Sequence, residues 1–375
     1  MFVKLNIQLE NIISLKKLEK NRVLFHASSV GEINAFYPLI KATLEENLKV
    51  NISIFTKTGF EQAKKLFKNQ ENVNIYSFPL LNTFTWYSPQ KAIFIYENDF
   101  WPQIFLLSKR TKTPIFIFDL KSSEIHIRKY KKYFYFYNFI FSLSKKIFVS
   151  NERNLERLKE TFPNLKSKFC YHPPLKVFKI FYIEDNLIKK IKKEKRKSIF
   201  KQKIFLFASF HDDEFNILEA ILKKYEKKYI FLISPRHPYK TNNILKVLKN
   251  YKYYIPDKEK FLENPFYFLK KYKIIFLPYL GIQKYLYPLA DITLVGGSFN
   301  KKGGHDILEP AYFQNIVLIG PSFENQVSNF DFVENVYVVN SLKEIKDFES
   351  LKNSKINIKV INKNLLRETI KLCLS

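Results

Sequence analysis

Short apolar runs alternate with helix-like stretches along the whole 375-residue chain, and few architectures accept that pattern. Runs at 22–26, 50–55, 73–78, 92–97, 114–118 and 146–150 are rich in Ile, Val and Phe, and each leads into a polar turn and a helix-like segment. This spacing predicts parallel strands joined by crossover helices. The alternation restarts at 203–208, 229–234, 273–277, 291–295 and 316–320. Between the two series lies KKIKKEKRKSIFKQK, residues 189–203, charge-dense and weakly apolar, and the connection between domains is expected just before or within it. The chain therefore reads as α/β, with two Rossmann-like lobes facing a central cleft: an N-terminal domain over 1–180 and a C-terminal domain over 181–375. Open parallel sheets bind ligands at the carboxyl ends of their strands, so functional residues are expected just after strands.

Composition limits what such lobes do. At 46% hydrophobic and 26% charged the chain is globular, which excludes disorder and collagen-like architecture. Two cysteines, Cys170 and Cys373, are too few for a disulfide framework or a cysteine-based zinc site, and favour a reducing, cytosolic setting. The opening MFVKLNIQLE lacks the continuous apolar core of an export signal. The longest apolar run, residues 133–143, is interrupted by Asn138 and flanked by Lys131, Lys132, Lys145 and Lys146, and it is too short to span a bilayer. With 63 Lys and Arg against 35 Asp and Glu, the net charge of +28 suits an anionic partner: nucleic acid, a membrane surface or a phosphorylated substrate. Thirty-eight Phe and only eight Gly fit equally a chain drifted toward one codon bias, which raises Lys everywhere.

Five segments carry candidate chemistry, each just after a predicted strand. In HASSVGE (26–32) small residues precede a helix-like run, and Glu32 stands either as an ordinary acid of a first helical turn or as a reactive carboxylate. In ENDFWP (97–102), Glu97 leaves a strand end beside Asp99; two acids near Glu32 would raise one another's pKa or orient a hydroxyl, while Asp99 also suits a helix start. FASFHDDE (207–214) and SPRHP (234–238) join hydroxyl or basic side chains to helix starts, as a phosphate would require, with Arg236 as the principal charge. In VGGSFNKKGGHDILEP (295–310), Gly296, Gly297, Gly303 and Gly304 permit close backbone approach to a ligand, and a helix is expected to open at Asp306. Asp306 and Glu309 fit a capping box, and Glu309 alternatively suits the two hydroxyls of a ribose.

In this order the motifs resemble the Kdo transferases of lipopolysaccharide synthesis, GT-B-type glycosyltransferases with CMP-Kdo as donor. HASSVGE is similar to that family's HxxSVGE, ENDFWP to its ETELWP, PRHP to its PRHP, and VGGSFNKKGGHDILEP to its VGGS…GGHNxLEP. The resemblance implies an enzyme that transfers Kdo, with inversion and without a cofactor or metal, from CMP-Kdo to lipid IVA, the lipid A precursor. It implies Glu32 as general base, with Glu97 and with Lys176 of PPLKVF assisting. It draws the donor site from Ser209, His211, Pro235, Arg236, Leu280, Gly281, Ile282, Gly297, Ser298, Gly304, His305, Asp306, Ile307, Leu308, Glu309 and Asn325. Ile282 stands where the family has Glu, Asp306 where it has Asn, and Asp119-Leu120-Lys121 where it has Asn-Ala-Arg. The apolar N-terminal anchor common in the family is not apparent, so peripheral attachment to the anionic cytoplasmic face of the inner membrane is expected, through RKYKKYFYFY (128–137). Residues 133–143 read equally as buried core. The alternatives are a uridine-sugar transferase or epimerase of the same fold, or a nucleic-acid-binding protein. Against the last, the chain has no zinc finger, RRM signature or basic zipper, and no nucleic-acid partner is expected.

Overall fold

The computed structural model describes residues 16–198, 202–340 and 348–375. The opening MFVKLNIQLE, on which the expectations about export and anchoring rest, lies outside the described residues, as does part of the charged connection, 199–201. The chain divides into one unit of Met1–Phe181 with Asn362–Ser375 and a second of Tyr182–Ile361.

The first unit is built on β1 (Val23–Ala27), β2 (Val50–Ile54), β3 (Val73–Ser77), β4 (Ala92–Tyr96), β5 (Ile115–Phe118), β6 (Lys146–Val149) and β7 (Phe169–Tyr171). They form one seven-stranded sheet in the order β3-β2-β1-β4-β5-β6-β7, with every pairing parallel. Strands such as AIFIY and IFIF are buried along their whole length because crossover helices cover both faces of the sheet. The edge strand VNIYS is only partly buried. One face packs an aromatic cluster that includes Phe78, Trp86, Phe105, Tyr130, Phe141 and Phe162. The predicted strands of this half match the observed ones to within one residue at either end.

In the second unit β8 (Ile204–Phe210), β9 (Ile230–Pro235), β10 (Tyr253–Tyr254), β11 (Ile274–Phe276), β12 (Ile292–Val295), β13 (Ile316–Ile319) and β15 (Val336–Val338) form a sheet in the order β10-β11-β9-β8-β12-β13-β15. A small antiparallel pair, β14 (Val333–Glu334) and β16 (Lys355–Ile356), lies beside it. Separate apolar clusters cover this unit's sheet, one around Phe205, Phe207 and Phe231 and another around Leu206, Leu232 and Ile275. These residues alternate along β8 and β9, as side chains on opposite faces of a strand must.

The division expected from the sequence puts the last fourteen residues in the C-terminal domain, whereas their contacts belong to the first unit. The helix Lys363–Leu374 buries Leu366, Thr369, Ile370 and Cys373. Thr369 Oγ1 lies 3.1 Å from His172 Nε2, and Lys363 pairs with Glu45 at 2.7 Å. An apolar stripe on a terminal helix gives no sign in the sequence of which core it will cover.

Strand order matters most for the site. In the first sheet the chain winds outward from β1 in one direction and from β4 in the other, so the loops leaving these neighbours diverge and open a crevice at their carboxyl ends. HASSVGE leaves β1 and ENDFWP leaves β4. The second sheet repeats the arrangement at β8 and β12, whose loops carry FASFHDDE and the glycine-rich segment.

Candidate active site

Helix α1 (Val30–Glu45) starts directly after β1, with Ser29 as its N-cap and Glu32 in its first turn. The Ser29 hydroxyl accepts the Glu32 N–H at 3.4 Å, and Glu32 Oε2 folds back to accept the Ser28 N–H at 2.5 Å. The Ser28 hydroxyl donates to Asp99 Oδ2 at 2.6 Å, which ties the β1 loop to the β4 loop. Asp99 also accepts the Trp101 indole N–H on Oδ1 at 2.9 Å, and His26 Nε2 lies 3.1 Å from its Oδ2. His26 is wholly buried, with Nδ1 3.1 Å from Ser53 Oγ on β2.

These surroundings push the two carboxyls apart. Burial raises the Glu32 pKa, the charge of Asp99 raises it further, and the Ser28 N–H only partly opposes them. Burial also pushes Asp99 upward, but His26, the Ser28 hydroxyl and the Trp101 N–H outweigh it and hold Asp99 below the usual value. The neighbouring helix begins at Pro102 with Trp101 as its cap, so Asp99 is no helix-start residue as the sequence also allowed.

Glu97 sits at φ +50°, in the left-handed region, with Oε2 2.6 Å from Lys121 Nζ. Asn98 Nδ2 donates to the Tyr130 hydroxyl at 2.8 Å, and that hydroxyl donates to the Lys121 carbonyl at 2.5 Å. Asp119, at φ +52° after β5, is buried and accepts the Leu175 N–H at 2.9 Å, anchoring the turn that presents the exposed Lys176. Burial drives the Asp119 pKa up to about 7, against the Leu175 N–H and the Tyr96 hydroxyl. Burial raises the Tyr96 phenol as well, with the charges of Asp119, Glu97 and Glu32 adding to it. Glu32, Glu97 and Asp119 thus share one neighbourhood around Tyr96, and the Lys176 charge reaches it through Asp119.

In the second unit a bulge at Ser209, φ +52°, interrupts the β8–β9 pairing between Ala208 and Phe210. The bulged backbone presses on Gly296, where a Cβ would lie 2.4 Å from the Ser209 carbonyl oxygen, so no other residue fits there. His211 Nε2 and His305 Nε2 are 2.7 Å apart, and Lys302 Nζ is 2.9 Å from His211 Nδ1. Because the ammonium only donates, this chain of contacts assigns the proton of His211 to Nε2 and makes His305 Nε2 the acceptor. Burial lowers both imidazoles to about 4; Lys302 and His305 add to this at His211, and Arg236, His237 and Lys302 at His305. Near neutral pH both rings are uncharged polar groups beside Lys302 and Arg236, a set suited to a phosphate.

Other donor-site residues differ from their sequence reading. The glycine-loop N–H groups expected to meet a ligand are largely engaged internally: Gly304 N donates to Gly297 O at 2.8 Å, His305 N to Gly296 O at 3.1 Å, and those of Gly297 and Ser298 to Glu214. The helix expected to open at Asp306 is the five-residue Leu308–Tyr312, capped by Ile307, and Asp306 Oδ1 accepts the Leu308 N–H at 2.9 Å. The N-cap position thus falls on Ile307, one residue beyond the expected Asp306, and Glu309 lies half-buried in that short helix. The side chains of Pro235, Ile282, Ser298, Ile307 and Leu308 are buried. Ile282 packs in the core where the resembled family carries Glu. Arg236, Leu280 and Asp306 are exposed, Gly281 takes φ +75°, and Asn325 Nδ2 holds the Lys302 carbonyl at 2.7 Å.

Sequence reasoning missed Lys302, His26 and Glu214. Lys302 is hidden among 63 basic residues, and the other two matter through partners 83 or more and 73 residues away respectively for Glu214 and Asp99 with His26. Among the described residues, no group of three or more His, Cys, Asp and Glu is placed to hold a metal ion.

Residues 7–170 match the family described as 3-deoxy-D-manno-octulosonic-acid transferase (kdotransferase). The chain is 28% identical over 352 residues to a 3-deoxy-D-manno-octulosonic acid transferase of Haemophilus influenzae, covering 89% of this chain and 79% of that protein. It is 26% identical over 358 residues to a bifunctional glycosyltransferase/methyltransferase of Fusobacterium nucleatum, covering 92% of this chain but only 54% of the relative. A solved structure of UDP-GlcNAc 2-epimerase from Methanocaldococcus jannaschii shares the fold, with a TM-score of 0.53, 12% identity and coverage of 94% of this chain and 99% of that one. The resemblance to the Kdo transferases read from the motifs is borne out, as is the GT-B-type class of two Rossmann-like α/β units.

Asp119 makes the first unit's stability depend on pH. Its folded pKa of about 7 lies above the ordinary 3.8, so the folded state holds the proton more tightly than the unfolded chain. The resulting stabilisation is complete below 3.8 and disappears as pH rises through about 7. Urea unfolding across this range is expected to show the loss in the wild type and a flatter profile in Asp119→Asn; equal slopes would contradict the assignment.

Proposed function

We propose that this chain is an inverting glycosyltransferase that moves Kdo from CMP-Kdo to a hydroxyl of lipid IVA, the lipid A precursor. The observation that carries this reading is the Glu32–Asp99 arrangement at the β1/β4 crevice, two acids whose pKa values are pushed in opposite directions. In this reading the first unit activates the acceptor and the second holds the donor.

Glu32 takes the proton of the acceptor hydroxyl while that oxygen bonds to the anomeric carbon of Kdo. The bond from that carbon to the phosphate oxygen breaks on the opposite face, and CMP leaves with the electron pair. A raised pKa suits a carboxylate to this task, because a more basic group is a better proton acceptor. Asp99 stays ionised and, through the Ser28 hydroxyl, steadies the loop that carries Glu32. Glu97, paired with Lys121, and Lys176, on the turn held by Asp119, assist at the same strand ends. Arg236 and Lys302, with the neutral His211 and His305, stabilise the charge that grows on the departing phosphate. No metal or other cofactor has a part in this mechanism.

An acylated acceptor brings the enzyme to a membrane. No helix among the described residues is long and apolar enough to cross one. The helices Glu124–Lys132 and Phe134–Leu143 bury Tyr130, Tyr137, Ile140 and Phe141, which answers the core reading of this segment. Their other side exposes Tyr133, Tyr135, Phe136 and Phe139 next to Arg128, Lys129, Lys131 and Lys132. Aromatics beside cations suit peripheral attachment to the anionic cytoplasmic face of the inner membrane.

Incubating purified protein with CMP-Kdo and tetraacylated lipid A precursor should give products heavier by Kdo units in mass spectra. Glu32→Ala should reduce product formation at least about a hundredfold, the usual scale for a general base; undiminished product would remove Glu32 from that role. In flotation with vesicles containing anionic lipid, the bound fraction should fall as salt is raised, and a fraction indifferent to ionic strength would argue against charge-based attachment.

A further inference from the structure

Glu214 ends the short turn after β8, and only 2% of the residue is exposed. Its Oε2 accepts the N–H of His211 at 2.8 Å and of Gly297 at 2.9 Å, while its Oε1 accepts the N–H of Ser298 at 3.1 Å and of Phe299 at 3.0 Å. The first donor belongs to Glu214's own turn, and the other three to the loop after β12. A carboxylate buried without such donors would be costly; here all four groups converge on it.

The groups held this way carry the anion-binding side chains. His211 lies in the turn itself, and Gly297 and Gly296 accept the N–H groups of Gly304 and His305, so the loop position set at Glu214 passes to His305 and, beside it, to Lys302. The 2.7 Å approach of His211 to His305 spans the two segments that Glu214 joins.

We propose that Glu214 is a positioning residue of the donor site: its carboxylate joins the β8 turn to the β12 glycine loop and so sets the spacing of His211, His305 and Lys302 around the nucleotide phosphate. The inference rests on the reading of the second unit as donor-binding. In Glu214→Gln one oxygen becomes an NH2 group, which faces two backbone donors and leaves them unpaired without changing side-chain volume. Glu214→Asp keeps both oxygens on a shorter stem.

The test is calorimetric titration of wild type and both variants with CMP, together with steady-state kinetics for CMP-Kdo and for the lipid acceptor, and thermal melts. Wild-type binding of CMP tests the underlying reading, and its absence would overturn that reading whatever the variants do. Given wild-type binding, Glu214→Gln is expected to melt cooperatively and to bind CMP about tenfold or more weakly, the scale of buried donors left unpaired. Its KM for CMP-Kdo should rise in parallel while its KM for the acceptor stays unchanged, and Glu214→Asp should fall between it and wild type. A folded Glu214→Gln with wild-type CMP affinity, equal rises in both KM values, or failure of both variants to fold would overturn the proposal and leave Glu214 a residue of folding alone.

Discussion

Two parallel strands whose chain connections depart in opposite directions leave a gap between their exit loops, and the proposed base, Glu32, and the proposed phosphate contacts His211, His305 and Lys302 stand on loops that border such gaps. β1 and β4 make one in the first sheet, and β8 and β12 make the other. The gap has to be held in shape by something other than sheet hydrogen bonds, because the strands have ended. In both units acidic side chains do this. Asp99 joins the two loops of the first crevice through the Ser28 hydroxyl and fixes its own loop through the Trp101 indole, Asp119 holds the Leu175 turn, and Glu214 gathers the loops of the second. Left-handed residues recur at the same places, Glu97 and Asp119 in one unit and Ser209 and Gly297 in the other, where the backbone turns sharply off the sheet.

Acids used in this way differ in protonation according to what reaches them. Asp99 is surrounded by an imidazole, a hydroxyl and an indole N–H, and so remains a carboxylate despite burial. Glu32 has one backbone N–H and a neighbouring negative charge, so its proton is held more tightly. Asp119, buried with few donors and near Glu97, goes further in the same direction. In the second unit the histidines play the complementary part: buried beside Lys302 and Arg236, they stay neutral and offer polar contacts without adding to a charge already present.

Much of this was legible in the sequence. Central strands are buried on both faces and therefore read as unbroken apolar runs, and the motifs at their ends fell where the strand order opens a crevice. Short or edge strands such as Phe169–Tyr171 and Tyr253–Tyr254 were not legible, since a few half-exposed residues carry no pattern. Nor was the return of the helix Lys363–Leu374 to the first unit, where Thr369 meets His172 from 197 residues away. At the site, residue types were readable and their partners were not. The glycine loop suggested free N–H groups, but a carboxylate from another strand end already accepts several of them. Asp99 resembled a helix-start residue until His26 and Ser28 were seen beside it.

The β1/β4 crevice separates the protonation of two neighbouring acids and leaves Glu32 the more basic. Carboxyl-labelled NMR titration of Glu32, in wild type and in Asp99→Asn, measures this directly. Glu32 is expected to titrate above 4.5 in the wild type and to move downward when the charge at position 99 is removed. A Glu32 that titrates at or below 4.5 in the wild type, or that is indifferent to the substitution, would contradict it.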